Sequence, residues 1–272
     1  MSTRMEKALI AAALAACAAA RAARAAEESN GLPPLEDNSF LLEEAYNQDP
    51  RAVQHIFNWT RLDPSGDYVL TFSQEWPLAG QRHQIAYSIP FESISTTGHR
   101  GTGWGDLEIQ YRYQWLGMGD SKLAMAPEVT LLFPTGDANE DLGAGAVGTE
   151  IGLPASIKLS DRFAAHTNVS LTYTGHSDQA PASIEYDLGQ SLVWLAASRF
   201  NPLIEVVWTR SEPAGDAAGE REETFIVSPG FRWGYDFPSG LQIVPGVAFP
   251  TGVGASHGQS GVLLYLSFEH GF

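Results

Sequence analysis

The chain has 272 residues and carries 32 acidic against 16 basic side chains, a formal net charge of −16. That balance argues against a nucleic-acid partner, because phosphate binding needs clustered cations. The length allows one large β domain or two ordinary ones, and the abundance of aromatic residues excludes a disordered chain.

Taken in chain order, residues 1–25 read as a secretory signal peptide. Arg4 and Lys7 precede an apolar run from Ala8 to Ala20, and Ala23-Arg24-Ala25 supplies the small residues of a cleavage site. The run is too short for a spanning helix, which needs about 20 residues. Leu14-Ala15-Ala16-Cys17 also matches the lipobox at which bacterial lipoproteins are cleaved and acylated on cysteine, so two processing routes stay open. Cleavage after Ala25 removes the only cysteine, and with it any disulfide or thiol chemistry.

Residues 26–51 form a separate N-terminal segment. Asp37 or Asn38 is placed to cap a short helix from Ser39 to about Asn47, with Phe40, Leu41 and Glu44 on one side.

Residues 52–272 hold twelve segments of period-2 alternation. They fall near 52–62, 67–78, 83–94, 105–116, 122–134, 149–160, 162–175, 183–198, 201–211, 223–234, 240–251 and 260–272. The clearest is GDLEIQYRYQWL, where Leu107, Ile109, Tyr111, Tyr113 and Trp115 make an oily face opposite Glu108, Gln110, Arg112 and Gln114. Connections after even-numbered segments are brief, whereas most after odd-numbered ones are long and polar, such as DANEDLGAGAVGTE. An even strand count with short turns at one end and long loops at the other describes a bacterial outer-membrane barrel. Pro127, Pro154, Pro229 and Pro245 fall inside segments and predict bulges or register breaks, since proline cannot donate to a ladder.

Tryptophan placement agrees. Trp76, Trp115, Trp194 and Trp233 gather toward the short-turn end on the outward face, and Trp59 and Trp208 toward the other end, as two interfacial girdles would. The last segment, GVLLYLSFEHGF, alternates to a terminal aromatic residue. Phe268 and Phe272 therefore make the signal that the barrel assembly machinery reads. Gln190 and Arg210 break the pattern by landing on the lipid face, Arg210 close enough to a strand end to snorkel.

The opposite face lines a lumen. It carries Glu75, Glu92, Glu108, Arg112, Glu128, Lys158, His166, Asp187, Glu205, Arg232 and Glu269, of both signs with acids in the majority. These charges either solvate and brace a pore wall or form a selectivity network that disfavours anions. Substitution of Glu108 or Arg112 is expected to change ion selectivity rather than folding. Residues 26–51 lie in the periplasm or plug the lumen. The apolar Phe40, Leu41, Leu42 and Tyr46 favour the lumen, with Phe40, Leu41 and Tyr46 as plug or gate residues.

Other chemistry finds little support. Asp137, Asn139 and Asp141 begin an EF-hand-like spacing, but Leu142 and Gly148 occupy the places that need Gly and Glu, so no metal site is expected. His166, Asn168 and Ser170 share one face, with the ingredients of outer-membrane phospholipases, yet that face points into the lumen and not to lipid. No enzyme activity and no cofactor are expected.

EDNSFLLEEAYNQDP followed by VQHI, GDLEIQYRYQW and LLFPTGD with a later GTE resembles the outer-membrane family of proposed transporters of the phenol-degradation meta pathway. The resemblance spans about half of the chain beyond residue 25. It implies a barrel that passes small, often aromatic, compounds across the outer membrane. The fold expected is thus all-β, a transmembrane antiparallel barrel of twelve strands with a short N-terminal segment. Its expected partners are a small-molecule solute, outer-membrane lipid and the assembly machinery. A plugged barrel working in adhesion or envelope structure through its long loops is the alternative.

Overall fold

A computed structural model describes residues 35, 37–96, 98–118, 121–215 and 219–272. The signal-peptide reading, Cys17, residues 26–34 and residue 36 lie outside the described residues. Twelve antiparallel strands close on themselves. They are β1 (Ala52–Asp63), β2 (Tyr68–Leu78), β3 (His83–Thr96), β4 (His99–Trp104 and Leu107–Tyr113), β5 (Leu123–Met125 and Glu128–Phe133) and β6 (Gly148–Ser160). The circuit continues through β7 (Phe163–Thr174), β8 (Ser183–Trp194), β9 (Phe200–Pro213), β10 (Glu222–Trp233), β11 (Gln242–Ala248 and Thr251–Gly252) and β12 (Ser260–Gly271). Each strand pairs with its sequence neighbours, and β12 returns to β1 in unbroken register from Ala52↔Gly271 to Asp63↔Ser260. Closure gives every strand two neighbours, the condition a sheet must meet where no water can bond its edges.

The alternation is inverted relative to a soluble protein. In β5, Glu128 and Thr130 are buried while Val129 and Leu131 are exposed. In β12, Leu263, Tyr265 and Ser267 are buried and Val262 and Leu264 face outward. The outward ring also includes Ile85, Ile109, Ile151, Val169, Leu188 and Ile204. An apolar exterior around a polar interior is what lipid on one side and a wet lumen on the other require. At the short-turn end Trp76 packs on Phe272 at 5.3 Å, and Phe231 lies between Phe200 and Trp233. Among the described residues no helix is long and apolar enough to cross a membrane.

The prolines act through their neighbours. Pro127 lies in the gap that divides β5, as expected. Pro154 and Pro229, however, leave β6 and β10 continuous. The carbonyl of Pro154 accepts from Ala126 N (3.1 Å) and that of Pro229 from Phe249 N (2.9 Å), so each ring nitrogen faces the break in the adjoining strand, where no ladder donor is needed. The register shift of β6 sits instead at Lys158/Ser160.

Candidate functional site

Residues 37–49 run through the interior as an extended, bent chain, without the helix expected from Ser39 to Asn47. The reason is where its amides go. Leu41 N and Leu42 N donate to Glu205 Oε1 (2.8 and 3.2 Å), Ala45 N to Ser156 Oγ (2.7 Å), Asn47 N to Gln114 Oε1 (2.8 Å) and Gln48 N to Gln84 Oε1 (2.7 Å). Wall side chains thus satisfy the donors that a helix would have turned on itself.

Three anchors hold the segment. The Asp37 carboxylate accepts from Gln54 Nε2 (2.6 Å), Tyr265 Oη (3.0 Å) and Ser267 Oγ (2.8 Å). Arg232 Nη1 donates to the carbonyls of Asp37 and Asn38, and Asn201 Nδ2 to that of Leu35 (2.8 Å). Farther along, Arg112 pairs with Glu43 and with Glu128 (3.0 Å), and donates to Glu44 O (3.2 Å). Ser39 Oγ meets Ser191 Oγ at 2.8 Å.

Packing fixes the apolar side chains. Phe40 lies 5.3 Å from the Tyr265 ring, and a Cβ at Gly246 or Gly230 would come within 2.5 or 2.7 Å of the Phe40 ring. A Cβ at Gly189 would lie 2.0 Å from Leu42 Cδ2. Glycine at these wall positions makes the seats for Phe40 and Leu42. Leu41, grouped with Phe40 by the helical reading, is 37% exposed because the bent backbone turns it away. Tyr46 donates from its hydroxyl to Ser121 O (2.5 Å), with Lys158 Nζ 5.7 Å above its ring.

The eleven inward charges fall into two groups. Glu75, Arg112, Glu128, His166, Glu205 and Arg232 are buried in the short-turn half or at mid-height, most of them against residues 37–48. Glu75 takes Asn38 Nδ2, Gln48 Nε2 and Gln84 Nε2 at 3.4, 3.2 and 2.9 Å. Lys158 and Glu269 line a vestibule at that end, a cavity of about 730 Å³. Glu92, Glu108 and Asp187 lie toward the long loops. There Asp187 accepts from Ser170 (3.3 Å) and Thr209 (2.6 Å), and Glu150 accepts from Thr172 (3.1 Å). The Glu108 side chain makes no hydrogen bond or ion pair among the described residues.

Arg112 extends an expectation. It is 1% exposed and holds two carboxylates and a segment carbonyl, so its replacement is expected to cost stability, which the reading of Arg112 as a pure selectivity residue does not include. His166, Asn168 and Ser170 do not form a relay. Ser156 Oγ, already accepting from Ala45 N, shares a hydrogen bond with His166 Nδ1 (2.7 Å), Asn168 reaches the Glu43 backbone once its amide is turned, and Ser170 serves Asp187. Asp137 spends its carboxylate on Asn139 within a 3-10 turn.

Reasoning from charge missed the neutral half of the site, Gln54, Gln84, Gln114, Ser156, Ser191 and Asn201, all buried and most bonded to the segment. Their signal was present: each occupies an inward position of its strand or strand extension, where a porous lumen needs only polarity but a bound peptide needs both donors and acceptors.

The family model described as "Putative MetA-pathway of phenol degradation" matches residues 55–268, from β1 to β12. The chain belongs to this family. Its fold is that of an outer-membrane channel from Pseudomonas putida F1, at 14% identity and a TM-score of 0.64 over 88% of this chain and 100% of that one. The NanC porin (8% identity, TM-score 0.52, 80% of this chain and 100% of that) and the KdgM porin (7%, 0.50, 80% and 99%) are also similar. At such identities the likeness concerns the fold. No curated protein matches the chain.

Proposed function

We propose that the chain is a channel of the bacterial outer membrane that passes a small solute and is held closed at rest by the segment of residues 37–49. Both termini lie on the periplasmic side in this reading, after export by the signal peptide. The observation that carries it is the set of bonds described above, in which inward side chains from strands on every side of the ring converge on one extended segment. A segment bonded this way occludes the lumen, yet only non-covalent contacts keep it there. Phe40 and Tyr46 act as the gate, with Leu41 the gate residue most open to an arriving solute. The family's description favours an aromatic or hydrophobic solute, and the Phe40 and Tyr265 rings offer such a molecule a surface. The β12 end, with Phe268 and Phe272, is the element presented to the assembly machinery, and the outward apolar ring is the surface for lipid.

Single-channel conductance in planar bilayers tests this, on the protein beginning at Ala26 and on a version that begins at Asp49. Conductance is expected to rise on deletion, with longer openings. Silence from both, in barrels whose folding is confirmed by heat-modifiable electrophoretic mobility, would overturn the channel and favour the adhesion or structural alternative.

A further inference from the structure

Between the N-terminal segment and the wall of β1 to β5 lies a cavity of about 200 Å³. It is smaller than the ~300–1,000 Å³ that drug-sized ligands occupy. Phe40, Leu42, Ile56 and Ala86 supply its apolar surface, and the polar lining comes from Asn58, Ser73, Glu75, Ser88, Glu108 and Thr130.

The hydrogen-bonding capacity left open in that lining is one-sided. Ser73 and Ser88 use each other at 2.7 Å. Gln110 is spent on Glu43, whose charge Arg112 already answers. Asn58 donates from Nδ2 to Phe40 O (3.4 Å), and its Oδ1 is buried without a partner. The Thr130 side chain is 7% exposed, and its hydroxyl makes no hydrogen bond among the described residues. Glu75 receives only neutral amides, and Glu108 receives nothing. What remains open is therefore the Glu108 carboxylate and the buried Asn58 amide oxygen, both acceptors, beside one hydroxyl, while the Glu75 carboxylate has amide donors but no cation. The buried Asn58 oxygen lacks a donor and the two carboxylates lack a cation, so a molecule carrying N–H groups and a positive charge gains most here.

We infer that this cavity is a binding site for a small organic cation, an ammonium group on a compact apolar body, with Glu108 as its counter-ion and Thr130 and Asn58 Oδ1 as further contacts. The inference rests on the channel reading and gives it a substrate class. The ammonium sits toward Glu108 and Glu75, and the apolar body lies along Phe40 and Ile56. Carboxylates of the same number would repel an organic anion of equal size.

Isothermal titration calorimetry on the folded protein in detergent distinguishes the charges, using benzylammonium, benzyl alcohol and benzoate as probes of matched size. Benzylammonium is expected to bind about tenfold more tightly than the alcohol, the weight of one charge-assisted hydrogen bond, and benzoate not at all. Glu108→Gln should remove that preference, Glu108→Asp should keep part of it, and Thr130→Val should weaken benzylammonium by a smaller factor. Equal affinity for cation and alcohol, preference for benzoate, no heat from any probe, or an unaltered preference in a folded Glu108→Gln barrel would each overturn the site. Conductance without charge preference would sink the site and leave the channel standing. Benzylammonium binding to a barrel that never conducts would do the reverse.

Discussion

In the short-turn half of the lumen most inward polar groups end on Leu35 or residues 37–48, whereas toward the long loops the inward carboxylates meet hydroxyls or nothing. Asp37, Arg232, Glu205 and Gln114 belong to the first region, Glu92, Glu108, Glu150 and Asp187 to the second. Both arise from the same period-2 pattern, so the difference lies in what each face was given to satisfy. A wall that holds a peptide needs donors matched to carbonyls and acceptors matched to amides at fixed heights. A wall that stays wet needs only polarity, because water completes whatever the protein leaves open.

The contrast is sharpest at Arg112. Arg112→Ala strands the Glu128 carboxylate, which is 6% exposed, and a stranded buried charge costs about 3–5 kcal/mol. The midpoint of urea unfolding of the barrel in detergent is expected to fall accordingly, and an unchanged midpoint would show that the pair is solvated. Phe40→Ala removes a ring of the buried cluster that includes Tyr265 and Leu263, a change that costs about 3–5 kcal/mol in a packed core. Here the cost falls on docking of the segment and not on the closed sheet. Protease cleavage within residues 37–48 should accelerate while the barrel's electrophoretic mobility is retained. Loss of the barrel itself would mean that segment and sheet fold as one unit.

Arg232→Met comes next. It leaves the carbonyls of Asp37 and Asn38 without their buried donor, at about 1–3 kcal/mol for an unsatisfied group. Channel opening frequency in bilayers should rise, by less than for Phe40→Ala. No rise would place the anchoring in Asp37 and its three partners alone.

How much of this could be read from the chain follows the same division. Strand number, closure, the outward aromatic residues and the inward face all follow from period-2 alternation and from loop lengths sorted by parity, since lipid imposes them on every strand alike. The path of residues 37–49 does not. Asp37 or Asn38 suits a helix cap locally, and the competing acceptors, Glu205, Ser156 and Gln84, lie more than 35 residues away in sequence. The prolines show the same limit from the other side. Pro154 and Pro229 signal a break correctly, but the break falls in the strand beside them, which only the pairing reveals.

The smallest effect should come from Asp187→Asn in the long-loop half. Its partners, Ser170 and Thr209, are hydroxyls on different carboxylate oxygens, so an amide can satisfy both by accepting from one and donating to the other, and no residue of the N-terminal segment touches it among the described hydrogen bonds. Unfolding midpoint and protease sensitivity of the segment should therefore stay where they are. Only the current should change: one fewer negative charge in a low-dielectric conduit reduces the preference for cations, and the reversal potential in a potassium chloride gradient should move toward zero. The shift should shrink as salt rises, because screening shortens the reach of a wall charge to about 3 Å at 1 M. If Asp187→Asn instead loosened the segment, the two halves of the lumen would be coupled, and the long-loop carboxylates would belong to the gate as much as to the path.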